Sequence, residues 1–351
     1  MKISFHQRPR AFAVLMVLVT VMVLSILAGA LAIFMKVESQ LTANSNDAEK
    51  LLWIGRSGVE RACWILAQEP GSPTSLKQIW AGGPGDGPET NSPIAGISLA
   101  DFPVGDGSVS LAITELESKI NVNRADTALI TQVLTTMGVD ASAISEVSDS
   151  IQDWVDTDDS TRPAGAESDY YQGLNPPYYA KNAPIDDIEE LQLIKGITPL
   201  MFKGGTATNS DSPFQHHQLG FGHAPGQAEN YPFGLRDVFT PFSSGKININ
   251  TANANVLSCV PGMDENSAAA ILSYRDSEGG PNGSGVLTSI DQLNAAVPNQ
   301  QALRQLKNYC GVAGSTYEVH ATARCGTSTR EFIAIVFRNG PNVQIVGFHP
   351  K

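Results

Sequence analysis

Residues 11–35, AFAVLMVLVTVMVLSILAGALAIFM, run without a single charge, and this run restricts the fold more than any other feature of the chain. As an α-helix it is ~37 Å long, enough to cross a ~30 Å hydrocarbon core with some tilt. The residues before it, MKISFHQRPR, hold Lys2, Arg8 and Arg10 and no acid, whereas Glu38, Asp47 and Glu49 follow it. This charge pattern puts the N-terminus in the cytoplasm and everything from Lys36 onward on the far side of the membrane.

The helical signal outlasts the span. After Pro9 there is no proline until Pro70, and apolar residues recur at Val37, Leu41, Ala48, Leu52, Val59, Cys63 and Leu66, which draws one stripe along a helix. Residues 12–68 therefore read as a single rod of ~85 Å. The competing reading is a secretory signal cut after Ala28-Gly29-Ala30. The apolar run is longer than the ~7–15-residue core of such signals, and the stripe continues past that point.

The 351 residues suffice for a large core and about two domains. Net charge is −12 with only 17% charged residues, a poor match to phosphate backbones, which need basic surface. Gly and Pro collect in loops between ordered blocks. Strand patterns occur at 109–116 (VSLAITEL) and in three blocks at the far end, YEVHATARC, REFIAIVFR and NVQIVGFHP, which read as an antiparallel meander. Between them lie helical stretches at 126–155 and 186–203, the latter with an internal Gly-Ile-Thr-Pro turn, then a helical pair opened at Lys246 and a last helix near 291–309. The economical description is an α+β domain interrupted by an α-helical insertion.

One phrase occurs twice inside the insertion. KINVNRADTALI begins at Lys119 and KININTANANVL at Lys246. Each is an extended lead-in followed by a capping residue, Asp126 or Asn253, ahead of a helix. The second continues VLSCVPGMDENSAAAILSYRD, a Pro-Gly turn between two short helices, as in a helix-hairpin-helix. This stretch resembles the hairpin of membrane-anchored competence DNA receptors, which is the alternative function. Here Asp264 and Glu265 follow the turn, and carboxylates repel phosphate, so the hairpins read as scaffold and no nucleic acid is expected as partner.

The segment DWVDTDDSTRPAGAESDYY places Asp153, Asp156, Asp158, Asp159, Glu167 and Asp169 around a Pro/Gly turn. Hard cations such as Ca²⁺ take 6–8 oxygens from such clusters. Counted from Asp156, oxygens fall at loop positions 1, 3, 5 (Ser160) and 12 (Glu167), as in an EF-hand, but Thr161 stands where that loop needs glycine. DSEGGPNGSG, from Asp276, is a weaker candidate. His216, His217 and His223 lie in a Gly-rich polar loop with no spaced carboxylate and read as solvated. No HExxH, GxSxG or phosphate-cradling loop occurs, so no enzyme is expected. Cys63, Cys259, Cys310 and Cys325 allow three pairings; Cys63 lies on the helix stripe and reads as a packed thiol.

Four segments, in order, resemble the type II secretion minor pseudopilin K family: RAFAVLMVLV, SKINVNRAD, the acidic Asp-Trp segment ending in Glu-x-Asp-Tyr-Tyr, and LRDVFTPFSSGKININTANANVL. The resemblance implies a pilin-like α+β fold, with a long N-terminal transmembrane helix and an antiparallel sheet, carrying a large inserted α-helical domain with helix-hairpin-helix-like repeats. The parts would be a leader at 1–11, the helix at 12–69 (span 12–35), a first pilin-like part at 70–118, the insertion at 119–312 and C-terminal strands at 313–351. It further implies cleavage between Ala11 and Phe12 by prepilin peptidase, with methylation of the Phe12 amine, although Ala11 stands where glycine is usual. Met16 occupies the fifth mature position, where most pilins carry Glu. The implied role is at the tip of the periplasmic pseudopilus, with the minor pseudopilins I and J as partners, in the inner membrane. Calcium in the α-domain is the implied cofactor. Cys259 and Cys310 are the candidate disulfide pair.

Overall fold

The computed structural model describes residues 10–83, 93–94, 96–206, 230–277, 285–294, 297 and 299–351. Helix α1 (Arg10–Gln68) runs 59 residues without a break, since no proline removes a backbone N–H along it. Its stretch Phe12–Ser39, of mean hydropathy 2.8, is not buried by the rest of the described chain. From Leu51 on the helix changes character, with Leu51, Ile54, Val59, Ala62, Ile65 and Leu66 buried. Gly55 and Gly58 face the same way, where a Cβ would run into the Phe332 ring and Val109. Glycine costs helix propensity, but here it lets the backbone lie close against a sheet.

That sheet begins with the hairpin β1 (Phe102–Val104) and β2 (Gly107–Glu115). The β1 strand, which contains Pro103, carries too little alternation to read in the sequence. After Glu115 the chain leaves the sheet for the insertion, in two successive passes of similar design. The first pass runs β3 (Ile120–Asn121), α2 (Thr127–Met137), α3 (Ala141–Val155), α4 (Ser168–Gln172), a 3₁₀ turn (Ile188–Leu193) and α5 (Pro199–Lys203). It ends with the short pair β4 (Gly205–Thr206) and β5 (Asn230–Tyr231), then α6 (Leu235–Val238) and β6 (Phe239–Thr240). The second runs β7 (Ile247–Asn248), α7 (Ala254–Ser258), α8 (Glu265–Asp276), a 3₁₀ turn (Ile290–Asn294), α9 (Gln300–Tyr309) and β8 (Cys310–Gly311). In each pass the opening strand pairs in parallel with the closing one, β3 with β6 and β7 with β8.

The chain then returns as β9 (Thr316–Cys325), β10 (Ser328–Asn339) and β11 (Asn342–Pro350), giving the order β1-β2-β9-β10-β11, antiparallel throughout. Alternate residues, Tyr317, Val319, Ala321 and Phe332 among them, face α1 and complete one hydrophobic core. A second core, built on Ile120, Ile130, Val133, Ile247, Leu257 and Leu306, fills the insertion. The architecture is the pilin-like α+β fold with an inserted helical domain.

Three expected helices are shorter than their patterns. The stretch 126–155 divides at Gly138, whose φ of +81° ends α2 in a left-handed cap. The stretch 186–203 becomes a 3₁₀ turn and the short α5, divided at the expected Gly-Ile-Thr-Pro turn, where Gly196 has φ +83°. Likewise, 291–309 divides into a 3₁₀ turn and α9.

Candidate functional site

The repeated Lys-Ile-Asn-x-Asn phrase does the same work twice. Lys119 Nζ donates to the Arg236 carbonyl in the helix before β6 (2.9 Å), and Lys246 donates to the Asn308 carbonyl before β8. Ile120 and Ile247 enter the core. Asn121 and Asn248 each accept, on Oδ1, the N–H two residues on (2.9 and 3.0 Å). The second asparagine forms a two-way bridge to a distant backbone: Asn123 with Ile185 (2.7 and 2.9 Å) and Asn250 with Leu287 (2.9 Å each way). Asp126 and Asn253 then cap α2 and α7 by accepting from Leu129 N–H and Val256 N–H. The motif is therefore scaffold. At the hairpin tips, Asp140 and Asp264 accept from Ser142 N–H and Ser267 N–H (2.8 Å each), so carboxylates hold helix-start amides that a phosphate would need.

The acidic segment folds back onto the end of α3. Asp153 is fully buried in the last turn, and Asp156 is the C-cap residue. Arg162 Nη1 reaches both, 2.7 Å from Asp153 Oδ1 and 2.5 Å from Asp156 Oδ2. The return strand of the loop is pinned by backbone. Ala164 N–H donates to Asp149 (3.1 Å), and Lys195 Nζ donates to the carbonyls of Ala164 and Gly165 (3.3 and 3.2 Å). Gly165 passes so close to Asp153 that a Cβ there would collide with the carboxylate.

Glu167 precedes α4 and is buried, at 3% exposure, yet among the described residues neither of its carboxylate oxygens has a hydrogen-bond donor. Burial, together with the negative charges of Asp153, Asp156, Asp159 and Asp158, pushes its carboxyl up to about 7. Asp156 Oδ1 and Asn182 Oδ1 are likewise buried and without donors. Asn182 Nδ2 donates to the Asp158 carbonyl (3.1 Å) and to Asp159 (2.8 Å), which draws this residue, in a left-handed conformation at φ +47°, against the acidic loop. Unpaired buried acceptors beside a surplus of negative charge are what a hard divalent cation satisfies, so the donor set fits calcium.

The set differs from the one counted along the sequence. Asp158 is exposed and accepts from Ser160 N–H (2.9 Å), a bond that lowers its pKa. Asp169 is exposed on α4. Among the described residues no three His, Cys, Asp or Glu side chains already converge as ligands, and Arg162 is paired to two of the carboxylates, Asp153 and Asp156. Asn182 was not foreseen, and a single Asn in a Lys-Asn-Ala-Pro turn signal is a faint clue. Behind the loop Trp154 packs edge-on against Tyr171 (5.2 Å), which stacks on Tyr178 (5.2 Å).

Two further buried carboxylates mark where the insertion joins the sheet. Glu115, at the end of β2, accepts from Thr74 Oγ1 (2.7 Å) and, on both oxygens, from Asn248 Nδ2 (3.0 and 2.9 Å). Desolvation pushes its carboxyl up to about 7. Glu117 accepts from Ser244 N–H (3.0 Å), Ser315 Oγ (3.1 Å), and Thr316 N–H and Oγ1 (3.1 and 3.2 Å).

The expected Cys259–Cys310 disulfide is not formed: all four cysteines are free thiols. Cys259 closes α7, its thiol beside Thr136 and Ser258, whereas Cys310 sits in β8 opposite Ile247. Burial pushes both thiols up to about 12, which makes them poor thiolates. His216, His217, His223 and most of DSEGGPNGSG lie outside the described residues, as does the side chain of Ala11; Phe12 is exposed at the start of α1.

Residues 110–204 match the family model "Type II secretion system (T2SS), protein K", and residues 243–308 match a helix-hairpin-helix motif. Type II secretion system protein K of Klebsiella pneumoniae is 26% identical over 214 residues, and that of Aeromonas hydrophila 24% over 218. Each match covers 56% of this chain, and the chain spans 61% of the length of either relative. A chain of the GspK-GspI-GspJ complex from the enterotoxigenic Escherichia coli type 2 secretion system superposes with a TM-score of 0.62 at 17% identity, covering 88% of this chain and 99% of that one. The family model covers most of β2, the first Lys-Ile-Asn-x-Asn phrase and the acidic loop, and over these residues the chain is similar to type II secretion system protein K.

Proposed function

We propose that the protein works as a minor pseudopilin. In this reading α1 anchors it once in the inner membrane, the remainder lies in the periplasm, and it assembles with pseudopilins I and J at the tip of the pseudopilus to promote export. The observation that carries the reading is α1 itself. One unbroken helix is apolar and uncovered over Phe12–Ser39 and packed against the sheet from Leu51, so the same rod serves as anchor and as domain core. Cleavage between Ala11 and Phe12, with methylation of the new amine, belongs to the same proposal, as does a structural rather than enzymatic role. The test is purification of the full chain from membranes under mild detergent. Two smaller pilin-like proteins should accompany it, and intact mass should give a start at Phe12. Recovery of the chain alone and unprocessed would overturn the reading.

The acidic loop adds a structural calcium ion, held by Glu167, Asp156 and Asn182 with Asp159 and Asp153 nearby. A bound cation supplies positive charge where buried acceptors otherwise face one another. The support is the set of donorless oxygens at Glu167, Asp156 and Asn182.

A further inference from the structure

We propose that Arg162 is the resident counter-ion of the acidic pocket and that a divalent cation displaces it, with Asn182 joining Glu167 and Asp156 as a ligand. The inference rests on the calcium reading above. It goes beyond that reading by assigning one residue to the metal-free state and another, from outside the acidic segment, to the metal-bound one.

The geometry of Arg162 suits a replaceable partner. Among the described residues its guanidinium bonds only Asp153 and Asp156, the two carboxylates at the end of α3. Its side chain is 35% exposed, so it can swing outward without crossing the core. The turn it sits on does not depend on the guanidinium. Arg162 N–H points at Asp153 Oδ2 (3.2 Å), Gly165 N–H bonds the Arg162 carbonyl (3.0 Å), and Lys195 and Asp149 hold the residues that follow. The loop therefore keeps its course when the side chain leaves.

The charge balance also argues for exchange. One guanidinium faces Asp153 and Asp156 while Glu167, with no donor on either oxygen, faces the same carboxylates. Asp156 is divided: Oδ2 is paired to Arg162, while Oδ1 is buried and unpaired. A cation bridging Asp156 and Glu167 would meet the guanidinium at close range, where like charges repel strongly. Both cannot occupy the pocket. Asn182 brings a neutral oxygen to the same loop: its amide nitrogen is tied to the Asp158 carbonyl and Asp159, and its buried Oδ1 has no donor among the described residues.

The test uses the full chain in detergent, stripped of metal and titrated with Ca²⁺ against a chromophoric chelator. Removing a competitor tightens binding, so Arg162→Gln should raise calcium affinity about tenfold while lowering the melting temperature in chelator; Asn182→Ala should weaken binding about tenfold. Arg162→Lys, which keeps the charge and loses the planar fork, should fall between wild type and Arg162→Gln and guards against a folding defect in the latter. If wild type binds calcium and both Arg162 variants bind it equally or more weakly, the arginine supports the site and the exchange is refuted. If wild type does not bind calcium at all, the calcium reading itself fails.

Discussion

Asn248 Nδ2 lies 3.0 and 2.9 Å from the two carboxylate oxygens of Glu115, a contact that ties the second pass of the insertion to the end of β2. The same nitrogen is 2.7 Å from Thr74 Oγ1, which in turn accepts from Gly314 N–H (2.8 Å). A few polar groups thus join the loop after α1, the exit from the sheet, the insertion and the re-entry to the sheet. Glu115 is 1% exposed, and a buried carboxylate that loses a donor is left under-satisfied. Asn248→Ala should therefore cost about 2–3 kcal/mol in thermal or denaturant unfolding and open the 312–316 connection to proteolysis. Asn121→Ala, whose amide nitrogen donates to the half-buried Ser243 carbonyl (2.8 Å) and to no carboxylate among the described residues, should cost about 1 kcal/mol. Equal losses for the two would show that the junction carries no special share.

Glu115 also sets a pH dependence. Its folded carboxyl is pushed up to about 7 from an ordinary 4.5, so between these values the folded state holds more protons than the unfolded one. The groups around it are Glu117, Tyr317, Thr74, Thr251 and Asn248, with Arg338 near Tyr317. Stability from this group is thus complete below about 4.5 and lost as pH rises through about 7, by at most about 3 kcal/mol. Unfolding of wild type followed from pH 5 to 8 should show that decline over and above the contributions of other groups. Glu115→Gln should flatten it, and an unchanged slope in the variant would assign the decline elsewhere.

Much of this fold was written locally. The α1 rod, the strand at 109–116 and the final meander follow from uninterrupted periodicity, because each pattern reports burial on one face. The turn at Gly196 is legible from the Pro199 that follows it, whereas the break at Gly138 is not, since a glycine within a periodic stretch reads equally as interior or cap until its φ is known. The repeated phrase was visible at once, but its purpose was not. Asn123 finds its partner 62 positions away and Asn250 finds its own 37 away, and no local rule gives such distances. In the acidic loop, charge counting found the segment. It could not tell that Asp158 turns outward, that Glu167 turns inward, or that Asn182 arrives from beyond the aromatic turn.

The paired asparagines give a comparison within one molecule. Each makes a two-way bridge to one residue's backbone, but Asn250 is 2% exposed whereas Asn123 is half-buried. Water can replace the lost partner only where it can reach. Asn250→Ala should therefore strand the N–H and C=O of Leu287 and cost about 3 kcal/mol, and Asn123→Ala about 1–2 kcal/mol. Chemical denaturation of the two variants measures the difference. An equal cost would mean that the two bridges are equally shielded.

Glu167 allows the sharpest separation between a plain acidic loop and a cation site, because the two demand opposite signs. In metal-free protein its buried carboxylate has no donor and faces four others, so it opposes folding. Glu167→Gln removes that charge while keeping the shape, and should raise stability in chelator by about 1–3 kcal/mol. In millimolar calcium the same substitution deletes a ligand, and the stabilisation that binding adds by mass action falls away. Wild type should therefore melt several degrees higher in calcium than in chelator, whereas Glu167→Gln should melt at nearly one temperature in both, above wild type in chelator and below it in calcium. Asp158→Ala should leave the calcium effect largely intact, since its carboxylate is spent on the Ser160 turn at the surface. Melting curves that never cross, with Glu167→Gln lower under both conditions, would show that Glu167 is structural and that no cation relieves it.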